Sequence, residues 1–154
     1  VAVDDSSVTA PEGTALLSGN LIGNDIPSED GSPTIYDFSY TDVTGNTQTF
    51  EFLPLVLTQA VTTPTGILTV NADGGWNFVP NASYEHDGTG SSKAGSFGYR
   101  LVDNDGSISN QANQPIIITD TDPTADNTVT LAIDEENING LGSANAIVDN
   151  EVTV

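Results

Sequence analysis

The sequence predicts an all-β protein: an antiparallel β-sandwich of about seven to nine strands, with few or no helices. Short runs of β-branched and aromatic residues alternate with clusters of turn-forming residues. No 11-residue window keeps the 3.6-residue apolar period of an amphipathic helix. Large side chains instead alternate along the runs, as in Phe97, Tyr99 and Leu101. That alternation is typical of strands that turn one face to a core, and so many short strands favour a sandwich.

Eight segments combine β-forming residues with turn-rich flanks. These predicted strands span residues 7–9, 34–40, 48–57, 66–70, 75–79, 96–102, 115–119 and 128–133. The clearest pair is a hairpin, in which Leu68 and Val70 share one face of the first strand and Trp76 and Phe78 share one face of the second. The Asn-Ala-Asp-Gly-Gly run between them tolerates positive φ angles, so we interpret Asp73 as a turn residue.

The charge balance excludes several classes of partner. The chain has 22 acidic residues against Lys93 and Arg100, a net charge of −20. Nucleic-acid binding and electrostatic docking on anionic membranes both need basic residues, so neither is expected. No apolar run approaches the roughly 18–20 residues of a membrane-spanning helix. Cysteine is absent, so disulfides and thiolate metal sites are excluded.

The sequence does not predict an enzyme. His86 is the single histidine and lies in a polar Tyr-Glu-His-Asp-Gly loop, which favours a surface role. There is no Gly-x-Ser-x-Gly elbow, no glycine-rich phosphate loop and no set of zinc ligands. With 22 acids, any single pair of carboxylates carries no information about glycoside hydrolysis.

Two segments near the start of the chain resemble two segments near its end. Ala-Val-Asp-Asp-Ser-Ser-Val at 2–8 resembles Ala-Asp-Asn-Thr-Val at 125–129, and Asn-Leu-Ile-Gly-Asn-Asp at 20–25 resembles Asn-Ala-Ile-Val-Asp-Asn at 145–150. We therefore predict one module over 1–122, with 123–154 as a linker and the opening strands of the next repeat. Chance recurrence in a biased composition is the alternative reading, and 123–154 as a strand packing back on the first module is another. With no initiator Met and no signal-peptide pattern, the chain is expected to be a fragment.

Six motifs follow one another in order through residues 1–122. They are Ala-Val-Asp-Asp-Ser at 2–6, Glu12, Gly-Asn-Leu-Ile-Gly-Asn-Asp at 19–25, Gly-Ile-Leu-Thr-Val-Asn-Ala-Asp-Gly at 66–74, Trp-Asn-Phe-Val-Pro-Asn at 76–81 and Phe-Gly-Tyr-Arg-Leu-Val-Asp-Asn-Asp-Gly at 97–106. This series resembles the cadherin-like, Ig-like tandem repeats of large RTX adhesins, which are exported by type I secretion, and of biofilm-associated surface proteins. The stretch 34–57 is longer than a minimal repeat of that family and leaves room for an extra hairpin or a ligand-contacting loop.

The resemblance implies an extracellular sandwich on the bacterial cell surface, with Ca²⁺ at loops and module junctions. Its expected function is that of a calcium-stabilised extender, or spacer, which gives an adhesin rigidity and reach in cell adhesion and biofilm formation. The alternative is a calcium-dependent module that binds a glycan or peptide at the adhesin tip. The expected partners are neighbouring repeats of the same polypeptide, and an isolated fragment is expected to be monomeric.

Calcium takes about six to eight oxygen ligands, which Asp, Asn, Glu and backbone carbonyls supply. The candidate ligands are Asp4, Asp5, Glu12, Asp25, Asp103, Asp105, Asp120, Asp122, Asp126 and Glu135. The first four lie at predicted strand ends and could converge at one pole of the sandwich. The Asp-Asn-Asp-Gly loop at 103–106 resembles part of a loop site but lacks the EF-hand pattern. The last four could form a junction site between modules.

Two explanations of the acidic residues involve no metal binding. Asp and Asn favour turns because their side chains bond to nearby backbone groups, and acidic surfaces confer solubility. Asp37, Asp42 and Glu51 are interpreted as solvated. Trp76, Phe78, Phe97 and Tyr99 are predicted to lie in the core, which leaves Tyr40 and Tyr84 as the aromatic side chains considered for ligand contact.

Overall fold

A computed structural model describes residues 1–11, 13–29, 31–52, 54–81 and 92–119. Within these ranges the chain forms eleven strands and no helix, which confirms the prediction of an all-β sandwich. The described part of the protein thus offers no helix long and apolar enough to cross a membrane. The predicted strand 128–133 and the predicted domain boundary at 122 lie outside the described residues.

The strands are short, and most pair with a neighbour close in sequence. They are β1 (Val8–Pro11), β2 (Leu17–Asn20), β3 (Thr34–Thr41), β4 (Thr47–Glu51), β5 (Thr58–Thr63), β6 (Gly66–Asn71), β7 (Gly75–Pro80), β8 (Ser92–Ala94), β9 (Phe97–Val102), β10 (Ala112–Gln114) and β11 (Ile116–Thr119).

Three sheets build the sandwich. One has the order β2-β7-β6-β5, a second β10-β9-β3-β4, and a three-stranded sheet has the order β1-β11-β8. The pairings are antiparallel except between β1 and β11, which run parallel from Val8 opposite Ile116 to Pro11 opposite Thr119. The antiparallel prediction therefore holds for the two larger sheets, and the parallel pair ties the first strand to the last described one.

The core lies between the sheets and is built from alternating residues of each. Phe78 and Leu68 come from the β2-β7-β6-β5 sheet, Phe38 and Tyr99 from the β10-β9-β3-β4 sheet, and Ile116 from β11, and all five are almost completely buried. Trp76 and Phe97 are buried as well and meet edge to face with ring centroids 5.8 Å apart. The inward placement predicted for Trp76, Phe78, Phe97 and Tyr99 is confirmed.

The β6–β7 hairpin forms as its alternation predicts. Leu68 lies opposite Phe78 and Val70 opposite Trp76, so the large side chains share the inner face. Gly74 has a φ of 92°, which favours glycine at this position of the turn. The amide of Gly75 donates to Oδ1 of Asp73 at 3.0 Å, which confirms Asp73 as a turn residue.

The predicted strand 48–57 is wrong in its second half. Strand β4 ends at Glu51, and the chain turns at Pro54 and Leu55 before β5 begins at Thr58. Proline lacks the amide that a continuing ladder needs, so an apolar run rich in Leu does not continue as one strand. Strands β2, β5, β8 and β10 were not predicted. Three of them are only three or four residues long, and β2, β8 and β10 are polar in composition, so pairing with their neighbours defines them.

Asp37 is buried, so its interpretation as a solvated residue is wrong. A register shift in β3 between Ile35 and Asp37 sets Asp37 directly opposite Arg100 of β9. Arg100 forms a two-pronged ion pair with this carboxylate, in which Nε donates to Oδ1 at 3.0 Å and Nη2 donates to Oδ2. Its guanidinium also lies over the ring of Tyr36, 5.3 Å from the centroid. One of the chain's two basic side chains is thus used to neutralise a buried acid.

Arg100→Gln should destabilise the fold, because it leaves the carboxylate of Asp37 buried without its counter-charge. We expect a loss of about 1–3 kcal/mol in the free energy of unfolding, since Arg100 itself is partly exposed. Urea unfolding of Arg100→Gln, of Asp37→Asn and of the double variant measures the pair. The double variant should recover part of the loss. Strictly additive losses would show that the two residues do not interact.

Candidate metal centre

The opening segment of the chain is bound to strand β10 through Asn113. Oδ1 of Asp4 accepts hydrogen bonds from the backbone amide of Asn113 at 2.8 Å and from its Nδ2 at 3.1 Å. The amide of Asp5 donates to the carbonyl of Asn113 at 2.9 Å. These bonds hold Asp4 and Asp5 beside β10, the edge strand of the β10-β9-β3-β4 sheet.

The loop after β2 closes over the same segment. The amide of Ile22 donates to Oδ1 of Asn20 at 2.9 Å, and this local turn directs the following residues back toward the chain start. Asp25 then accepts a hydrogen bond from the amide of Val3 at 2.7 Å. Nδ2 of Asn24 donates to the carbonyls of Val3 and Asp4 at 3.3 and 3.1 Å. The structure therefore brings the Asp4-Asp5 pair and Asp25 together where the opening segment meets the loop after β2.

The hydroxyl of Tyr99 lies at the centre of this region. It is within 2.9 Å of the carbonyl oxygen of Leu21, 3.1 Å of the carbonyl oxygen of Val3 and 3.3 Å of both carboxylate oxygens of Asp25. The carboxylate of Asp5 also lies close enough to raise the pKa of this hydroxyl. We call these residues the Tyr99 cluster: Tyr99, the carboxylates of Asp5 and Asp25, and the carbonyls of Val3 and Leu21.

The Tyr99 cluster has too few hydrogen-bond donors for its acceptors. A phenolic hydroxyl donates one hydrogen, and at least four oxygen atoms compete for it. Burial, together with the negative charges of Asp5 and Asp25, raises the pKa of Tyr99, so the hydroxyl keeps its proton. The region is accordingly rich in negative oxygen and poor in positive charge.

Both carboxylates of the cluster hold protons more tightly than usual. Desolvation by burial raises the pKa of Asp5 from 3.8 to about 6; the hydroxyl of Tyr99 offsets part of this effect, and repulsion from Asp25 and Asp4 adds to it. Burial also raises the pKa of Asp25, against the hydrogen bonds from Val3 and Tyr99. Oδ2 of Asp5 is buried and accepts no hydrogen bond. A buried carboxylate oxygen without a partner is costly and marks a place where a cation or a donor is needed.

Asp5 also lines a shallow cleft of about 250 Å³. The indole of Trp76 forms another part of its wall, and Nε1 of that indole is buried without a hydrogen-bond acceptor. The indole packs directly on Gly19, since a Cβ there would come within 2.7 Å of Nε1. Two residues of the cleft wall thus carry a buried polar atom without a partner, one an acceptor and one a donor.

In the second predicted group, the 103–106 loop, the carboxylates accept hydrogen bonds from within their own turn. Oδ1 of Asp103 and Oδ1 of Asp105 both accept from the amide of Ser107, at 2.8 and 2.9 Å. Hydrogen bonds from the Asp103 carboxyl and from Ser107 lower the pKa of Asp105. Gly106 has a φ of 89°, as a sharp turn requires. The turn itself accounts for these two carboxylates.

Among the residues that the structure describes, no three acidic or histidine side chains converge closely enough to hold a metal by themselves. Glu12, Asp120, Asp122, Asp126 and Glu135 lie outside the described residues, so the junction site stays a prediction. The Tyr99 cluster fits calcium as part of a site, because its groups are all oxygens and Oδ2 of Asp5 is unpartnered. Two carboxylates alone are too few ligands, so carbonyls or water must complete the shell.

Sequence reasoning placed Tyr99 in the core but missed its hydroxyl. A signal was present, since a tyrosine at an inward position must find a partner for its hydroxyl when it is buried. The backbone carbonyls of Val3 and Leu21 could not be found in this way, because no side-chain pattern marks them.

The raised pKa of Asp5 predicts a dependence of stability on pH. The folded chain binds this proton more tightly than the unfolded chain, so the stabilisation is present below about pH 4 and is lost as the pH rises through about 6. Asp5→Asn removes the titration. In calcium-free buffer, the wild-type chain should therefore lose more stability between about pH 4.5 and 7 than Asp5→Asn does.

Urea midpoints at the two pH values measure this difference. Glu29→Gln is the matched control, because Glu29 is exposed and its neutralisation changes the net charge by the same amount. The control should follow wild type. Equal pH dependence in wild type and Asp5→Asn would contradict the assignment.

Comparison with known proteins identifies no family for this chain. No protein-family model matches it, and no curated protein matches it. The chain is an all-β protein with antiparallel sheets.

Proposed function

We propose that this chain is a calcium-stabilised extender module of a bacterial cell-surface adhesin, acting outside the cell in adhesion and biofilm formation. The observation that carries the proposal is the Tyr99 cluster, in which several oxygens share one phenolic hydrogen. The series of motifs at 2–6, 19–25, 66–74 and 97–106 supports the adhesin class. No catalytic step is assigned to any residue.

Calcium, when bound, supplies the positive charge that the Tyr99 cluster lacks. The residues that would hold it are Asp5 and Asp25, with the carbonyls of the same region contributing further oxygens. Val3 is already bonded to Asp25, and Asn24 is bonded to Val3 and Asp4. A cation shared by Asp5 and Asp25 would therefore join the opening segment to the β2 loop more strongly than hydrogen bonds alone.

This position suits a mechanical role. In a tandem array, force enters a module through the segments that join it to its neighbours, and residues 1–5 form one such segment. A metal bond across this segment resists extension, whereas the −20 charge of the unneutralised chain favours it. Neighbouring repeats are the proposed partners, and Asp120, Asp122, Asp126 and Glu135 are the proposed junction ligands.

Calcium should raise the melting temperature, because it binds the folded chain and not the unfolded one. A calcium concentration of about 100 times Kd adds about 2.7 kcal/mol, or about 5–10 °C for a domain of this size. Differential scanning calorimetry in EDTA and in millimolar calcium measures the shift. Asp25→Asn should remove most of the calcium-dependent increment, while Asp105→Asn should leave it intact.

The variants Asp25→Asn and Asp105→Asn also distinguish between the two candidate calcium sites among the described residues, the Tyr99 cluster and the 103–106 loop. A melt that is unchanged by calcium would contradict the proposal. Loss of the increment in Asp105→Asn but not in Asp25→Asn would move the metal to the 103–106 loop and overturn the role of the Tyr99 cluster.

A second candidate function is calcium-dependent binding of a glycan or peptide. The observation that favours it is the cleft beside Asp5, since an unpartnered acceptor and the unpartnered indole N–H of Trp76 together match a hydroxyl group. A glycan array run in calcium and in EDTA distinguishes the two functions. Reproducible calcium-dependent hits would favour ligand binding, and an array without such hits would favour the extender.

A further inference from the structure

One continuous part of this acidic chain carries no charge. Residues 52–72 contain no Asp, Glu, Lys, Arg or His, although the whole chain has a net charge of −20. This stretch forms β5, β6 and the turns around them. Several of its apolar side chains are exposed, most of all Leu55 at 94% and Leu57 at 70%. An uncharged surface with exposed leucines is unusual on such a protein and indicates an interface.

Strand β5 is the open edge of its sheet among the described strands. It is the last strand in the order β2-β7-β6-β5, and it pairs with β6 over six residues without a register shift. The amide of Ala72 donates to the carbonyl of Leu57, so Leu57 belongs to a hydrogen-bonded pair with β6. Because the pattern alternates, the backbone groups of Thr58, Ala60 and Thr62 point away from β6. Nε2 of Gln59 donates to the carbonyl of Ala60 at 2.8 Å, a local substitute for a missing strand.

This edge lacks the features by which proteins prevent edge pairing. Such features are charged side chains, proline, a bulge or very short length. The β5 sequence Thr-Gln-Ala-Val-Thr-Thr has none of them and is rich in β-forming residues. Strand β4, at the edge of the other four-stranded sheet, ends in Glu51, which lies opposite Asp37 of β3, and its Gln48 donates to the carboxylate of Asp42.

We propose that β5 is a self-association edge, at which a second copy of this chain adds its own β5 antiparallel to the first. Charge selects this occupant. Two copies with net charges of −20 repel each other elsewhere, and the uncharged 52–72 region is where they can approach. The result is a two-fold dimer with one continuous eight-stranded sheet, which replaces the expectation of a monomer. The proposal does not depend on calcium.

The outward-pointing residues set the register. Ala60 lies at the two-fold axis opposite its own copy, and Thr58 of each copy lies opposite Thr62 of the other. This register places the exposed Leu57 of one copy beside Thr63 of the other. The exposed side chains of Ile67 and Val79 line a cleft of about 350 Å³ on the opposite, outer face of the sheet, next to Thr62. Leu57 meets the edge of the other copy on the inner face, and no charged group is brought into the interface.

Cysteine cross-linking tests the register directly, because the chain has no cysteine of its own. Residues in a hydrogen-bonded antiparallel pair have Cα atoms about 5.5 Å apart, within the range of a disulfide. Ala60→Cys should form a disulfide-linked dimer under mild oxidation, and Thr49→Cys, exposed on β4, should not. Both are assayed in EDTA with high salt, which screens the repulsion between copies.

Sedimentation of the uncross-linked chain provides the second measurement. Wild type should show a concentration-dependent dimer whose fraction rises with salt, and Ala60→Glu should weaken it at least about tenfold by placing like charges opposite each other. Thr49→Glu should dimerise like wild type. A chain that stays monomeric at high concentration and salt, or Ala60→Cys that cross-links no faster than Thr49→Cys, would overturn the proposal. The latter result is also expected if another segment of the chain covers the β5 edge.

Discussion

The structure depends on how negative oxygen atoms are held together, around the hydroxyl of Tyr99, in a protein that has almost no positive charge. Tyr99 lies in the core by the alternation of β9, and its hydroxyl reaches the place where the opening segment and the β2 loop meet. Asp25 bonds to the amide of Val3 and thereby closes the loop over the segment. The same contacts place Asp5 against Asp25, so the closure that completes the fold also concentrates charge. The raised pKa of both carboxylates follows from this arrangement.

The chain neutralises buried charge in two different ways. Asp37 is buried within a sheet and is paired with Arg100, one of two basic residues in the sequence. The Tyr99 cluster contains no basic side chain and shares one phenolic hydrogen. Asp5 and Asp25 lie close together without a basic side chain in the cluster, and a hard divalent cation from solution is the natural source of positive charge. This contrast is the physical basis for the proposed calcium dependence.

The local signals in the sequence were sufficient for much of the fold. The alternation of Trp76 and Phe78 against Leu68 and Val70 defined the hairpin, and the turn residue Asp73 behaves as expected. Strands such as β10 could not be predicted, because Ala112, Asn113 and Gln114 have no β-forming pattern of their own and become a strand only when β9 lies beside them. The strand predicted at 48–57 is wrong in its second half. The prediction relied on the apolar composition of this run, although Pro54 lacks the amide that a continuing strand needs. The burial of Asp37 depends on a bulge and on a partner 63 residues away, which no local pattern reveals.

For the site, the sequence indicated which carboxylates could meet but not how they are used. Asp4, Asp5 and Asp25 come together where the opening segment meets the β2 loop, whereas the carboxylates of Asp103 and Asp105 are hydrogen-bonded within their own turn. The most direct test of the account is a crystal structure of the chain grown in calcium. The account predicts a cation within about 2.3–2.6 Å of carboxylate oxygens of both Asp5 and Asp25. Well-defined density that shows water alone beside these two side chains, or a cation bound instead by Asp103 and Asp105, would contradict it.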